Sequence, residues 1–486
     1  MKYKKNIRKK GNLIKFIIVI ILFITIVWLI PNIVIKNMDQ QVVKRANLQY
    51  SETINGLEYN IIDLIKVLQV DNTYAINVNL ENNITYSDNI ELNASINEYS
   101  NDFKYNVQIF LNNSEILSKE IFSENETIPI SLQTEGKNEI KIKVTKDDVV
   151  EYEEVINIYY IKPYEKQYLD ELSNKGIQVH YRQNNKWEDY NKSIPLIKAI
   201  GAKYLRADLF YSSVNKGNQD YNFTYYDEWI NQATNNGLNI ILEFNGFTTK
   251  DGESIKFDTE EEFNEFETFI NQVIERYPQI SNFEILNEPN FQYTSEEDVK
   301  NYSKLVELAN NSSAKNKNTN IIAGALAQVS ETTNTESMNT TDFFNKLTLF
   351  DGYKNSSAYS YHPYDGSNLA EQNPNIKKYL TEYKNLFNDY GGFIKNYVTE
   401  YGFSTYKDNN EGTQAGKLVQ QSILLDHNDV DLGIIYNFWN VGNDKEVASN
   451  NYGIVNYDYT PKPAYYSLKN YYENTNGSEY IGTINL

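Results

Sequence analysis

The sequence predicts an α/β chain: a closed (β/α)8 barrel, preceded by a small antiparallel β-sandwich and an N-terminal transmembrane helix. Three observations predict it. Beyond Pro163, short apolar runs alternate with helical patterns to the C-terminus, as a barrel of parallel strands requires. Residues 71–161 carry short runs of period two parted by turn residues. Residues 13–35 are almost entirely apolar.

The apolar run comes first in the chain. At helical rise it spans about 34 Å, enough for a bilayer core. Lys2, Lys4, Lys5, Arg8, Lys9 and Lys10 precede it. Positive charge on that flank places the N-terminus in the cytoplasm and everything after the run outside. No small-x-small cleavage site follows, so the expectation is an uncleaved signal anchor over residues 1–36. A stalk over 37–70 comes next, and the spacing of Leu57, Ile61, Ile62, Leu64, Ile65 and Leu68 predicts a short amphipathic helix within it.

The sandwich is expected over 71–161, with strands at 74–80, 90–96, 105–111, 128–132, 139–144 and 155–160. Turn-rich pieces such as Asn112-Asn113-Ser114 separate them. No aromatic cluster marks it as a carbohydrate-binding module, so it reads as a spacer. The barrel domain is expected over 162–486, with strands at 177–181, 204–209, 239–244, 282–286, 320–326, 358–361, 397–399 and 433–438. Helices are predicted between them, among them 226–235, 259–277, 295–314, 377–390 and 413–426.

Composition narrows the function. A formal net charge of −20 disfavours nucleic acid as a partner. There is no cysteine, which removes disulfides, thiolate metal sites and cysteine nucleophiles. With only three histidines, His180, His362 and His427, a multi-histidine metal centre is not expected, and no cofactor is called for.

In such a barrel the reacting groups stand at the C-terminal ends of strands. The fourth strand candidate ends in Asn287-Glu288-Pro289-Asn290 and the seventh in Thr399-Glu400-Tyr401-Gly402. Either glutamate alone is as easily a turn residue. Together they place two carboxyl groups across one barrel mouth, the arrangement that glycoside hydrolysis uses.

These segments resemble clan A of the glycoside hydrolases, whose retaining members carry glutamates on strands four and seven. Also carrying the resemblance are Leu205-Arg206-Ala207-Asp208, Tyr361-His362-Pro363-Tyr364, Tyr436-Asn437-Phe438-Trp439 and Tyr459-Thr460-Pro461-Lys462-Pro463. The pattern looks most like family 39 and related exopolysaccharide hydrolases, with family 5 as a neighbour. It departs from many family 5 enzymes after strand three, where Leu242-Glu243-Phe244-Asn245 offers no histidine, and Glu243 reads either as a substrate contact or as a pair inside the barrel.

The resemblance implies Glu288 as acid/base and Glu400 as nucleophile. It implies Asn287 on the sugar's 2-hydroxyl, Arg206 holding Glu400 charged, and His362 and Tyr364 completing that polar shell. It implies Trp439 as the floor of the sugar subsite and His180 as a further sugar contact. Each has a plainer reading: Arg206 as a salt bridge to Asp208, His362 as a turn cap, Trp439 as core. The expected activity is hydrolysis of a cell-surface or extracellular polysaccharide by a single-pass membrane protein, with polysaccharide synthesis or export machinery as a partner. A non-catalytic polysaccharide-binding protein and a transglycosylase are the alternatives.

Overall fold

The computed structural model describes residues 74–478 and two short strands before them, β1 (Glu52–Ile54) and β2 (Leu57–Tyr59). Within 74–478 it leaves out 79, 97–98, 122–124, 165–172, 184–186, 218–219, 249–253, 314–318, 329–336, 351–353, 355, 365–375 and 390–393. The predicted anchor at 13–35 lies outside the described residues. Among those described, no helix is long and apolar enough to cross a membrane. Part of the predicted stalk helix is corrected: Leu57–Tyr59 pairs antiparallel with Glu52–Ile54 as a small hairpin. The rest of that helix falls outside the described residues.

The predicted sandwich region forms two sheets. One has three strands, β3 (Tyr74–Val78), β5 (Asn89–Ile96) and β8 (Asn125–Ser131). The other orders β4 (Ile84–Thr85), β10 (Val149–Tyr160), β9 (Gly136–Lys146), β6 (Tyr105–Leu111) and β7 (Ser114–Ile121) as β4-β10-β9-β6-β7. Strand β6 alternates buried and half-buried residues along its length, so its apolar side chains share one face. Asn112 and Asn113 both adopt positive φ, 50° and 68°, and make the two-residue turn between β6 and β7. Strand β7 is mostly exposed and polar, which is why period-two reading passes over it.

This five-stranded sheet is tied to the barrel. Lys162 N–H, just beyond β10, donates to Glu135 Oε1 at 2.8 Å. The Lys469 ammonium, on the last barrel helix, is 1% exposed and lies 3.3 Å from Glu135 Oε1. A buried ammonium needs such a partner, so the sheet supplies part of that helix's charge balance.

The barrel closes as β11 (Lys175–Val179), β12 (Tyr204–Phe210), β13 (Asn239–Asn245), β14 (Asn282–Ile285), β15 (Asn320–Ala327), β16 (Ala358–His362), β17 (Lys395–Tyr401) and β18 (Leu432–Ile435), with β18 pairing back onto β11. The pairings are parallel throughout. The helices that follow the strands in turn are α1 (Tyr190–Ile200), α2 (Thr224–Asn235), α3 (Glu260–Arg276), α4 (Glu296–Ser313), α5 (Thr340–Leu347), α6 (Ile376–Asp389), α7 (Glu411–His427) and α8 (Pro463–Thr475). Helix α3 begins with a capping box: Thr259 Oγ1 accepts from Glu262 N–H, and the Glu262 carboxylate accepts from Thr259 N–H. Its Phe263, Phe266, Phe269 and Ile270 fall on one face and bury it.

Alternation along the strands separates two cores. Leu205, Ala207 and Leu209 of β12, with Leu242 and Phe244 of β13, join the large core between strands and helices. Ile241, Ile322, Ala358, Tyr397, Leu432 and Ile434 form a smaller cluster of their own. Two residues on from Ile241 comes Glu243, and two on from Tyr204 comes Arg206, so the apolar cluster gives way to charge toward the C-terminal mouth.

Candidate active site

At the centre of the mouth stands Arg206, fully buried on β12. Its guanidinium meets three carboxylates: Nε donates to Glu284 Oε2 at 2.6 Å, Nη1 to Glu400 Oε1 at 2.7 Å, and Nη2 lies 2.6 Å from Glu243 Oε2. Nη1 also donates to Gln178 Oε1 at 2.9 Å, and Nη2 to Asn287 Oδ1 at 3.0 Å. Five side chains from four strands and one loop are thus registered on one cation. The plain reading of Arg206 as a partner of Asp208 gives way to this one.

Glu288 and Glu400 reach the mouth through irregular backbone. Leu286 and Glu288 adopt left-handed φ, 61° and 47°, and Glu288 N–H donates to Ala325 O at 3.0 Å. The β17–β18 register shifts between Val398 and Tyr401, a bulge that brings Glu400 to the same interior as Thr399. Gly324 allows the neighbouring irregularity of β15: its φ is 121°, and a Cβ there would meet Ser360 O at 2.2 Å.

His362, fully buried at the end of β16, links the two glutamates. Nδ1 is 3.0 Å from Glu288 Oε1 and 3.7 Å from Glu400 Oε2, while Nε2 is 3.2 Å from Thr399 Oγ1. The Tyr364 hydroxyl donates to Glu400 Oε2 at 3.4 Å. One donor atom from each of Glu288, His362 and Glu400 lies within 4.8 Å of the others. Two carboxylate oxygens and an imidazole nitrogen at that spacing could hold a divalent cation. The hydrogen bonds already present account for the arrangement without one.

Burial pushes Glu400 up from the usual carboxylate range, opposed by His362 and Arg206 and aided by the charge of Glu288. Burial pushes Glu243 much further, and Asp208, Glu284 and Glu400 add to this against the pull of Arg206. Three acids around one cation do not all stay ionised in a dry site. Both oxygens of Glu243 nevertheless face donors, Arg206 Nη2 at 2.6 Å and Asn245 Nδ2 at 2.9 Å. Glu284 has donors on both oxygens, Ser360 Oγ at 2.5 Å and Arg206 Nε at 2.6 Å, which suits a carboxylate.

The structure brings together Arg206, Asn287, Glu288, His362, Tyr364 and Glu400. His180 stands at the same mouth, beyond Tyr436, whose ring meets it edge-on at 5.6 Å. Trp439 sits elsewhere than expected. It is 2% exposed, donates Nε1–H to Tyr457 O at 2.9 Å and packs on the rings of Tyr457 and Tyr459, so it is wall rather than floor. Tyr436 is one of three tyrosines, with Tyr364 and Tyr452, that feel both glutamates: burial first, then the charges of Glu400, Asp208 and Glu288, raise its hydroxyl. Glu243 pairs inside the barrel, one of the two readings open for it, while sequence reasoning missed Glu284 and Gln178. Their signal was a charged or amide residue inside an otherwise apolar strand.

The family model described as Cellulase (glycosyl hydrolase family 5) matches residues 166–445. Among solved structures, a family 39 glycoside hydrolase from the gut symbiont Bacteroides cellulosilyticus WH2 matches with TM-score 0.58 and 18% identity, over 79% of this chain and 80% of that one. That likeness concerns the fold. The Ruminococcus gnavus β-glucuronidase matches more loosely, with TM-score 0.42 and 13% identity over 82% of this chain and 68% of that one. The Bacteroides uniformis β-glucuronidase matches with TM-score 0.42 and 13% identity, the chain spanning 49% of its length. No curated protein matches.

Proposed function

The chain belongs to glycosyl hydrolase family 5, and from that premise we propose that this glycosidase retains anomeric configuration, with Glu288 as acid/base and Glu400 as nucleophile. Membership holds despite the missing histidine after the third barrel strand, where Glu243 joins the Arg206 network instead. The observation that carries the mechanism is the spacing of the two acids. A carboxylate oxygen of Glu288 and one of Glu400 lie within 4.8 Å. Retaining enzymes hold their carboxyl groups about 5–5.5 Å apart, and inverting ones about 6.5–9.5 Å, to admit a water.

In the first step a Glu400 oxygen bonds the anomeric carbon as the glycosidic C–O bond breaks, and Glu288 gives its proton to the departing oxygen. In the second, Glu288 takes a proton from water, the water oxygen bonds the anomeric carbon, and Glu400 leaves as a carboxylate. Arg206 and Tyr364 hold Glu400 in line. His362 orients Glu288. Asn287, its carbonyl fixed by Arg206, turns its amide toward the sugar's 2-hydroxyl. The substrate in this reading is a polysaccharide met outside the cell by a barrel tethered through residues 13–35, close to the machinery that makes or exports it.

Glu400→Gln is expected to abolish turnover while the fold and substrate binding persist. Glu288→Gln should slow poor leaving groups far more than activated aryl glycosides. Azide should partly rescue Glu288→Ala and yield a glycosyl azide of retained configuration. Inverted stereochemistry of the first-formed product by NMR, or near-normal rates in Glu400→Gln, would overturn the assignment.

A further inference from the structure

On the β11–β12 side of the mouth, a buried histidine, a nearly buried aspartate and a partly exposed arginine crowd together without satisfying one another. His180 is 7% exposed, and neither ring nitrogen has a hydrogen-bond partner. Arg182 Nε is also buried and unpartnered. Its guanidinium carbon lies 3.7 Å from the centroid of Trp187 and 4.5 Å from that of Phe210, so two ring faces hold it in place.

Asp208 faces both. Its Oδ2 is 3.8 Å from His180 Nδ1 and 3.9 Å from Arg182 Nη2, too far for hydrogen bonds. Its Oδ1 receives only a long bond, 3.4 Å, from Asn245 Nδ2. Burial acts to raise Asp208, but His180, Arg206 and Arg182 together hold it below the usual carboxylate range. The group is a charged acceptor with lone pairs to spare. A buried polar atom left unmet destabilises the fold, so a set of them in one place marks where a polar ligand completes the protein.

The gaps suit one chemistry. A hydroxyl oxygen can lie about 2.8 Å from both atoms of either gap, donating to Asp208 and accepting from His180 or Arg182. Two neighbouring hydroxyls would fill both gaps. The single positive charge of Arg182 is already matched by Asp208, so a sugar carboxylate would find no net positive field. Tyr436 joins this cluster to the Glu288–Glu400 pair, its ring touching His180 and its hydroxyl sensing all three acids.

We propose that His180, Arg182 and Asp208 form a subsite that grips the vicinal hydroxyls of a neutral sugar ring, beside the ring at which cleavage occurs. The proposal rests on the glycosidase reading only for where the cleaved ring lies.

The test is calorimetric titration of the full chain with five neutral disaccharides (cellobiose, laminaribiose, gentiobiose, mannobiose and xylobiose) and with cellobiouronic acid as the acidic counterpart. At least one neutral disaccharide should bind. Asp208→Asn and His180→Ala should each weaken that binding tenfold or more, with thermal unfolding unchanged. The two residues stand at different strands, so one variant stands in if the other fails to fold. Absence of binding to all five neutral disaccharides overturns the proposal. So does unchanged affinity in both variants, or tighter binding of the acidic disaccharide that Arg182→Met abolishes. Normal hydrolysis by Glu400→Gln would instead sink the catalytic reading and leave the binding result standing.

Discussion

The two sides of the barrel mouth treat buried charge in opposite ways. On one, contacts of 2.5–2.7 Å join Ser360, Glu284, Arg206 and Glu400, and His362 lies 3.0 and 3.2 Å from Glu288 and Thr399. On the other, Asp208, His180 and Arg182 come no nearer than 3.8 and 3.9 Å. A completed network is fixed before the reaction begins, so charge developing on a sugar meets dipoles that need not reorganise. An incomplete one keeps its hydrogen-bonding capacity for a ligand. The difference separates where chemistry is prepared from where recognition is.

The largest effect should come from removing the hub of the completed side. Arg206→Met leaves three carboxyl groups buried around an apolar side chain, and breaking a buried charged pair costs about 3–5 kcal/mol. Scanning calorimetry should show a large fall in Tm or loss of the cooperative transition. A variant that melts with the wild type would mean the network does not hold the mouth together.

A finer cut lies within the network. Glu284→Gln turns an amide NH2 against one of two incoming donors, Ser360 or Arg206, and should lower kcat/KM by about a hundredfold or more, on the order of 3 kcal/mol. Glu243→Gln changes the acid that burial pushes up most strongly, and should cost less than about tenfold. Equal losses would mean that both residues are needed as carboxylates.

Glu188 tests the incomplete side from beneath. It is fully buried and accepts from His180 N–H at 2.9 Å, and burial pushes its carboxyl from 4.5 up to about 8. Between these values the native chain keeps a proton that the unfolded chain has released, so stability falls as pH rises through that window and levels off above it. The total is a few kcal/mol at most. Tm should decline from pH 5 to 8 in the wild type and much less in Glu188→Gln. A parallel decline in both would assign the slope to another group.

The smallest effect is expected at Tyr364. Its bond to Glu400 is long, 3.4 Å, so Tyr364→Phe should lower kcat by tenfold or less, about 1 kcal/mol. A far larger loss would mean that the hydroxyl closes on Glu400 when sugar binds.

The order of elements in the barrel, and the strands that carry Arg206, Glu288, His362 and Glu400, were legible because apolar periodicity and turn residues are local. Tyr105–Leu111 was read to its ends, and the barrel strands to within a few residues. Strand β7 was not, because an exposed edge strand has no buried face to impose alternation. Trp439 is core, the plainer of its two readings, while Tyr436, given no role from sequence, stands by the mouth against His180. Three residues apart after a strand, either could line the mouth. The indole packs on Tyr457 and Tyr459, which return from a later loop.

The sequence by itself determined a barrel with two acids at the ends of its fourth and seventh strands, since hydrophobic period and strand count depend on nearest neighbours along the chain. Only the tertiary structure decided that Glu243, Glu284 and Glu400 share one guanidinium. It also decided that Asp208, His180 and Arg182 stay unmatched. Both outcomes depend on distances between strands far apart in sequence, where tenths of an ångström separate a hydrogen bond from a gap that a sugar can fill.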